Sequence, residues 1–126
     1  MNKQYDLVLG THNRKKGAEL AALLAPYNFH LTTLAEFPES LAVEETGTSF
    51  AENAALKAGQ QARHLERWVM GEDSGLSVDG LDGAPGVFSA RYSGATATVE
   101  SYKRYLLDQL CETPDSQRTA HYTCHI

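Results

Sequence analysis

Short apolar runs alternate with helix-patterned segments in the first part of the chain, and this alternation constrains the fold more than any other feature. Residues 5–10 form an apolar run that ends in a glycine, and residues 29–34 alternate as a strand does. Between them, three leucines recur at helical spacing in residues 14–25, and Pro26 ends that segment. This order of elements predicts an α/β fold.

A second helix is marked by its own start signal. Ser49 and Glu52 have the spacing of a capping box, in which the first residue caps the helix and the fourth returns a hydrogen bond. The helix is predicted to run to about Arg67. It is rich in alanine, which predicts a slim face suited to close packing.

The remaining segments have weaker patterns. The sequence predicts an acidic loop at residues 36–47, a strand at 68–72, turns and short strands at 75–94, an amphipathic helix near 99–110 and a weak strand at 118–126.

Composition limits the class of protein. The chain has 126 residues, of which 42% are hydrophobic and 21% charged, so we expect one globular domain over residues 1–126. A net charge of -5 argues against a nucleic-acid partner, which usually meets a basic face. The sequence shows no secretory signal and no membrane-spanning run, so we expect a cytoplasmic protein without a membrane partner. In that compartment we expect Cys111 and Cys124 to be free, buried thiols.

Two adjacent acids lie at the end of the predicted strand at residues 68–72. Glu72 and Asp73 precede Ser74 and Gly75, at a position where open α/β sheets commonly bind ligands. Neighbouring carboxylates repel each other, and a hard cation between them can offset that repulsion. The pattern therefore favours a cation site.

A basic helix start lies far upstream. Arg14, Lys15 and Lys16 follow a turn formed by Thr11, His12 and Asn13. Cations are unfavourable at the positive end of a helix, so three in a row indicate a bound anion, although Arg14 or Lys15 alone is better explained as solvated. A cation site and an anion site together suggest chemistry on a phosphate chain. By pattern alone, Glu44, Glu45 and Lys57 are ordinary solvated residues.

Three ordered segments resemble the inosine triphosphate pyrophosphatase family, also called the Ham1 family. They are LGTHNRKK at residues 9–16, EETGTSFAENAALKA at residues 44–58, and EDSGL at residues 72–76 with GAPGVFSARYSG at residues 83–94. The first contains the family's T/S-x-N-x-x-K start. Together the segments cover nearly the whole chain and are highly specific.

The resemblance implies a central mixed sheet flanked by helices and a homodimer. It also implies Mg²⁺-assisted hydrolysis of non-standard purine nucleoside triphosphates such as ITP, dITP and XTP to the monophosphate and pyrophosphate. The small-molecule nucleotide would be the substrate, and the role would be cleansing of the nucleotide pool.

The resemblance also implies roles for individual residues. Phosphates would be held by Thr11, Asn13 and Lys16, with help from the loop that contains His12, Arg14 and Lys15. Glu44 and Asp73 would bind the metal, and Asp73 would also orient or deprotonate the attacking water. Lys57 would assist the phosphate chain, and Ser74 and Arg91 would contact the substrate. Glu72 stands where many relatives have aspartate, so the sequence leaves open which of the two acids contacts the metal.

Family members usually continue through a Phe-Gly-Tyr-Asp segment and a Ser-His-Arg segment, which complete the pocket for the base. Neither segment occurs here, and residues 118–124 resemble the strand that precedes them. We therefore expect that the chain lacks the family's C-terminal portion. Two alternatives stay open: a catalytically silent homologue that binds nucleotide or phosphate, and a Maf-like pyrophosphatase with a different base preference.

Overall fold

The computed structural model describes residues 3–91, 94 and 98–126. They form two compact units, of which the first comprises the chain up to Glu72 together with Ile126 and the second comprises Asp73–His125. A single domain over residues 1–126 stays a prediction. None of the described helices is long and apolar enough to cross a bilayer.

Three parallel strands form the sheet of the first unit. They are β1 (Tyr5–Leu9), β2 (Phe29–Thr33) and β3 (Val69–Met70), in the order β2-β1-β3. Leu9, the last residue of β1, lies opposite Thr33 of β2 and Met70 of β3, which also end their strands. The segments that follow the three strands therefore leave from the same edge of the sheet, where α/β folds place their ligands.

Two helices accompany this sheet, α1 (Arg14–Leu24) and α2 (Phe50–Leu65). Both match the predicted positions, but α2 ends before Glu66, which has a left-handed backbone with φ of 52°. The hydrophobic cluster of the first unit consists of Val8, Leu34 and Leu65, with Phe37 and Val69 packed against it.

The start of α2 confirms the predicted helix cap. The Ser49 side chain accepts a hydrogen bond from the Glu52 N–H at 3.1 Å. The Glu52 carboxylate accepts from the N–H and hydroxyl of Thr48, at 2.7 and 3.1 Å. Besides these Thr48 donors, the Ser49 backbone N–H also interacts with this carboxylate and contributes to lowering the pKa of Glu52.

The second unit contains an antiparallel pair of strands and one helix. β4 (Asp73–Val78) pairs with β5 (Ala120–His125), and α3 spans Val99–Gln109. Thr98 and Ser101 form a reciprocal capping box at the start of α3. The predicted helix and the predicted final strand are confirmed.

The mixed α/β class is confirmed, with the described strands divided between a parallel sheet and an antiparallel pair. One predicted strand was too long. The strand predicted at residues 68–72 is only Val69–Met70, and a separate strand begins at Asp73, two residues before the predicted region of turns and short strands. The cysteines were predicted to be buried, but both are exposed thiols, since Cys111 follows the end of α3 and Cys124 lies on the largely exposed β5.

Candidate active site

Gly10 lets the chain leave β1 in close contact with β3. Its N–H donates to the Met70 carbonyl at 2.8 Å. A Cβ at this position would lie 2.7 Å from Val69 Cγ1 and 2.8 Å from the Met70 oxygen, so any side chain would push the strands apart. The basic segment (residues 11–16, whose last three residues open α1) thus begins at the edge where β3 ends.

Asn13 organises the basic segment by capping α1. Its Oδ1 accepts from the N–H groups of Lys15 and Lys16 at 3.0 and 3.2 Å, and Thr11 Oγ1 accepts from the Asn13 N–H at 3.1 Å. These bonds fix the turn, but they also use two N–H groups that an anion could otherwise bind. An anion at this helix start would therefore depend mainly on side-chain donors.

The basic segment borders a pocket of about 440 Å³ in the first unit. Its lining residues are Thr11, His12, Asn13, Arg14, Gly17, Ala18, Thr33 and Ala35. The side chains of Arg14 and Lys15 are exposed. Lys16 is partly buried, and its Nζ lies 3.4 Å from Glu72 Oε1 and 3.8 Å from Glu19 Oε2.

Gly71 brings the end of β3 against the alanine-rich face of α2. A Cβ on Gly71 would collide with the Ala54 carbonyl oxygen and would lie 2.8 Å from Ala58 Cβ. The slim face predicted from the sequence is used for this contact. As a result the Glu72 backbone lies beside α2, and its carbonyl accepts a hydrogen bond from Lys57 Nζ at 2.9 Å.

Four charged residues of alternating sign form a connected chain in the first unit. Lys57 Nζ contacts Glu45 Oε1 at 2.8 Å as well as the Glu72 carbonyl, and the Glu72 carboxylate contacts Lys16. Glu72 is only 6% exposed. Burial of a carboxylate is unfavourable unless it is paired, and Lys16 provides an opposite charge.

The acidic loop (residues 37–48) lies along one face of α2. Four polar residues at helical spacing, Asn53, Lys57, Gln61 and His64, contact it in turn. Their partners are the Gly47 N–H at 2.8 Å, the Glu45 carboxylate at 2.8 Å, both polar groups of the Leu41 backbone at 3.0 and 2.6 Å, and the Glu39 carbonyl at 2.7 Å. The loop therefore runs antiparallel to the helix.

His12 connects the basic segment to the acidic loop. Its Nε2 lies 3.1 Å from the Leu41 carbonyl oxygen. A carbonyl can only accept, so this ring nitrogen must carry the hydrogen. The His12 ring thus has a structural contact that the sequence does not indicate.

The other predicted site residues belong to the second unit. Asp73 is the first residue of β4 and is 6% exposed. Ser74 is half-buried and pairs with Cys124 in the ladder between β4 and β5. Arg91 ends a 3₁₀ segment, Gly86–Arg91, and its side chain lies outside the described part of the chain.

The structure brings together several residues that the sequence left separate. Lys16 and Lys57 are linked through Glu72, and it is Glu45 that contacts Lys57, whereas the neighbouring Glu44 is exposed. Sequence reasoning missed Asn53 and Gln61, which are 1% and 2% exposed. The sequence did contain a signal for these two amides. They lie four residues before and four residues after Lys57, a spacing that places all three side chains on one face of a helix.

The oxygen donors suit a hard divalent cation bound together with substrate. Glu45 and Glu72 provide carboxylates in the first unit, and Asp73 is the next residue of the chain. Within residues 3–91, 94 and 98–126, no three His, Cys, Asp or Glu side chains form a group that could hold a metal ion. Magnesium is typically bound by one or two carboxylates with waters and substrate phosphates, and a carboxylate is what each of these positions offers.

Known proteins resemble the chain along almost all of its length. The model of the Ham1 family matches residues 7–126. A dITP/XTP pyrophosphatase of Rhodopirellula baltica is 50% identical over 126 residues, which is 100% of this chain and 61% of the relative. A dITP/XTP pyrophosphatase of Listeria monocytogenes is 46% identical over 94% of this chain and 58% of its own length.

Solved structures agree in fold. A HAM1 protein from Coxiella burnetii matches with a TM-score of 0.86 and 36% identity, over 96% of this chain and 61% of that one. The Ham1 protein of Staphylococcus aureus matches with a TM-score of 0.79 and 34% identity, over 94% and 60%. The chain thus spans about three fifths of the length of these relatives. On this evidence the chain belongs to the Ham1 family.

Proposed function

We propose that the chain hydrolyses non-standard purine nucleoside triphosphates, namely ITP, dITP and XTP, to the monophosphate and pyrophosphate. The observation that carries this proposal is the chain of alternating charges from Lys16 through Glu72 and Lys57 to Glu45, which starts in the basic segment. Two cations held in place by acids suit a phosphate chain bound with a divalent cation. The names of the relatives, dITP/XTP pyrophosphatase, supply the substrate class.

Phosphate binding is assigned to the first unit. The Asn13 amide nitrogen and the Thr11 hydroxyl can donate to phosphate oxygens, while Lys16 and Lys57 provide positive charge close to the buried Glu72. Arg14 and Lys15 add exposed positive charge, and His12 contributes through the backbone of the same loop. Ser74 and Arg91 are proposed as further contacts to the substrate.

Glu44 and Asp73 are proposed as the residues that hold Mg²⁺ with the substrate. When bound, the ion neutralises negative charge on the phosphate oxygens. Glu45 is a second candidate from the same loop, because it already faces Lys57. A bound phosphate chain would then share the Lys57 ammonium with Glu45.

Asp73 is proposed as the residue that orients and deprotonates the attacking water. Attack on phosphorus with cleavage of the bond between the α- and β-phosphates yields the monophosphate and pyrophosphate. Asp73 is buried at the start of β4, where a rigid backbone holds it in one place. A positioned general base typically contributes about 10²–10⁴-fold to the rate.

We further propose a cytoplasmic homodimer. The homodimer follows from the family resemblance, and Trp68, which is 82% exposed, is an apolar side chain that a partner could cover. Light scattering measures the assembly directly. The proposal predicts twice the chain mass of 13.8 kDa, and a clean monomer would remove it.

The test of the reaction is the release of pyrophosphate from ITP and XTP, with ATP and GTP as controls. The proposal predicts release from ITP and XTP that depends on magnesium and exceeds release from ATP and GTP. Equal rates with all four nucleotides would contradict the proposed base preference.

A second candidate function is nucleotide binding without turnover. The chain covers 58–61% of the curated relatives described above, so the activity of the full-length relatives is a proposal for this chain. Calorimetric titration with ITP separates the two functions. Binding without pyrophosphate release identifies the silent form, whereas binding with release identifies the enzyme.

A further inference from the structure

The peptide group of Leu41 is held by a buried amide side chain. Gln61 Oε1 accepts from the Leu41 N–H at 3.0 Å, and Gln61 Nε2 donates to the Leu41 carbonyl at 2.6 Å. Gln61 is 2% exposed, so these bonds form in a low-dielectric environment where hydrogen bonds are stronger. The pair fixes both the position and the orientation of the peptide group.

The same carbonyl also receives the His12 ring. A backbone carbonyl has two lone pairs, and here Gln61 Nε2 and His12 Nε2 provide two donors. One donor comes from α2 and the other from the basic segment. The Leu41 carbonyl is therefore the point at which helix, acidic loop and basic segment meet in the first unit.

Glu45 lies between two such fixed points. Gln61 holds Leu41, and Asn53 Oδ1 holds the Gly47 N–H at 2.8 Å. These two amides are eight residues apart on α2, roughly 12 Å along the helix axis. Lys57 lies midway between them and meets the Glu45 carboxylate, so the short segment between the fixed points has little freedom.

We propose that Gln61 is a positioning residue: by holding the Leu41 peptide group it keeps Glu45 opposite Lys57 and, with His12, couples the acidic loop to the basic segment. The inference rests on the proposed function, because it assigns these two segments to one phosphate site. It gives Gln61 a task beyond filling the core. A phosphate ligand that orders the basic segment must then also order residues 42–47.

Amide hydrogen exchange with inorganic pyrophosphate as the probe tests this coupling without requiring turnover. In the wild-type chain, pyrophosphate should slow exchange in residues 42–47. Gln61→Glu keeps the acceptor for the Leu41 N–H but at pH 8 places a carboxylate oxygen against the Leu41 carbonyl. We expect ligand-free exchange of residues 41–47 to rise at least about tenfold and the response to pyrophosphate to disappear.

The matched control is Gln60→Glu, which makes the same chemical change one residue earlier on α2. It should retain both the slow exchange and the response. A second variant, His12→Phe, guards against misfolding of Gln61→Glu, because His12 is exposed. In His12→Phe the Leu41 N–H should stay protected by Gln61, while the response of residues 42–47 to pyrophosphate is lost.

The outcomes separate this inference from the proposed reaction. If Gln61→Glu lowers the melting temperature but keeps the response to pyrophosphate, Gln61 is merely structural and the inference is wrong. Pyrophosphate binding to the wild type without any response in residues 42–47 also overturns it. If pyrophosphate does not bind at all, the proposed phosphate site is wrong. The positioning role of Gln61 is tested independently of pyrophosphate binding, because equal ligand-free exchange in Gln61→Glu and Gln60→Glu would reject it.

Discussion

Lys57 lies at the centre of the charged chain in the first unit because the fold places two oxygen acceptors beside it. They are the Glu72 carbonyl and the Glu45 carboxylate. Gly71 allows the Glu72 carbonyl to approach α2, and the fixed acidic loop presents Glu45 from the other side. In the sequence, Lys57 is an isolated lysine on an alanine-rich helix, and nothing there indicates its contacts with Glu72 and Glu45. Its role depends on two segments that are distant along the chain.

Asp73→Asn is the sharpest change at this scale. It preserves the shape of the side chain but removes the charge and basicity proposed for the metal and the water. Turnover of ITP should fall by about 10²–10⁴-fold, while nucleotide affinity measured by calorimetry should change less because Lys16 and Lys57 remain. Circular dichroism checks the fold. Near-normal turnover in a folded variant would assign the base to another residue.

Lys57→Met removes the ammonium and keeps much of the apolar stem. We expect turnover of ITP to fall by about 10²–10³-fold, the range for loss of one preorganised donor near developing negative charge. Steady-state kinetics measure the effect, and Lys103→Met is a control because Lys103 lies on α3 in an exposed pair with Glu100. Similar rates in both variants would show that Lys57 does not contact the phosphates.

The residues of the site were only partly predictable. The motif that contains Thr11, Asn13 and Lys16 could be found from sequence because the three are close together in the chain. Glu45 could not be distinguished from Glu44, because an extended loop alternates the directions of its side chains and only the fixed ends determine which one faces α2. Gln61 was missed since a glutamine on a helix is usually solvated.

At the scale of elements, start and stop signals were more informative than strand patterns. Pro26 and Ser49 marked helix boundaries because they act through local backbone chemistry. β3 is only two residues long, whereas the predicted strand also included Trp68 before it and Gly71 and Glu72 after it. Strand ends depend on partners elsewhere in the chain, so their positions could not be read locally.

Gly71→Ala tests the close contact between the end of β3 and α2. The new methyl group meets the backbone of Ala54 and the side chain of Ala58, neither of which can move without shifting the helix. We expect a loss of about 1–3 kcal/mol in the free energy of unfolding, measured with urea. Gly59→Ala on α2 is the matched control. Its methyl group meets only the flexible end of Arg63 at 3.6 Å, and it should stabilise the chain by about 0.5–1 kcal/mol.

The start of α2 should respond to acid. Hydrogen bonds from the Thr48 backbone N–H and the Thr48 hydroxyl lower the pKa of Glu52 below its ordinary value of 4.5. A lowered folded-state pKa gives stability that is present above pH 4.5 and is lost as the pH falls through the folded-state pKa. Glu52→Gln should therefore reduce stability at pH 7 and make little difference at pH 2. An equal effect at both values, in urea titrations, would mean that the carboxylate's charge is irrelevant.

At the scale of the whole molecule, the proposed phosphate groups lie in the first unit, and the proposed base, Asp73, begins the second. The boundary falls within the Glu72-Asp73 pair, which the sequence analysis identified as one motif. Both residues are buried. The proposed function therefore assigns most of the phosphate contacts to the first unit and the activation of water to the second.

The proposed reaction cleaves the triphosphate between its α- and β-phosphates. It is tested by measuring the quantity of each product formed from ITP with Mg²⁺ after separation by chromatography. We expect IMP and pyrophosphate in equal amounts, with no reaction when the metal is chelated. Formation of IDP and inorganic phosphate, or no product at any magnesium concentration, would contradict it.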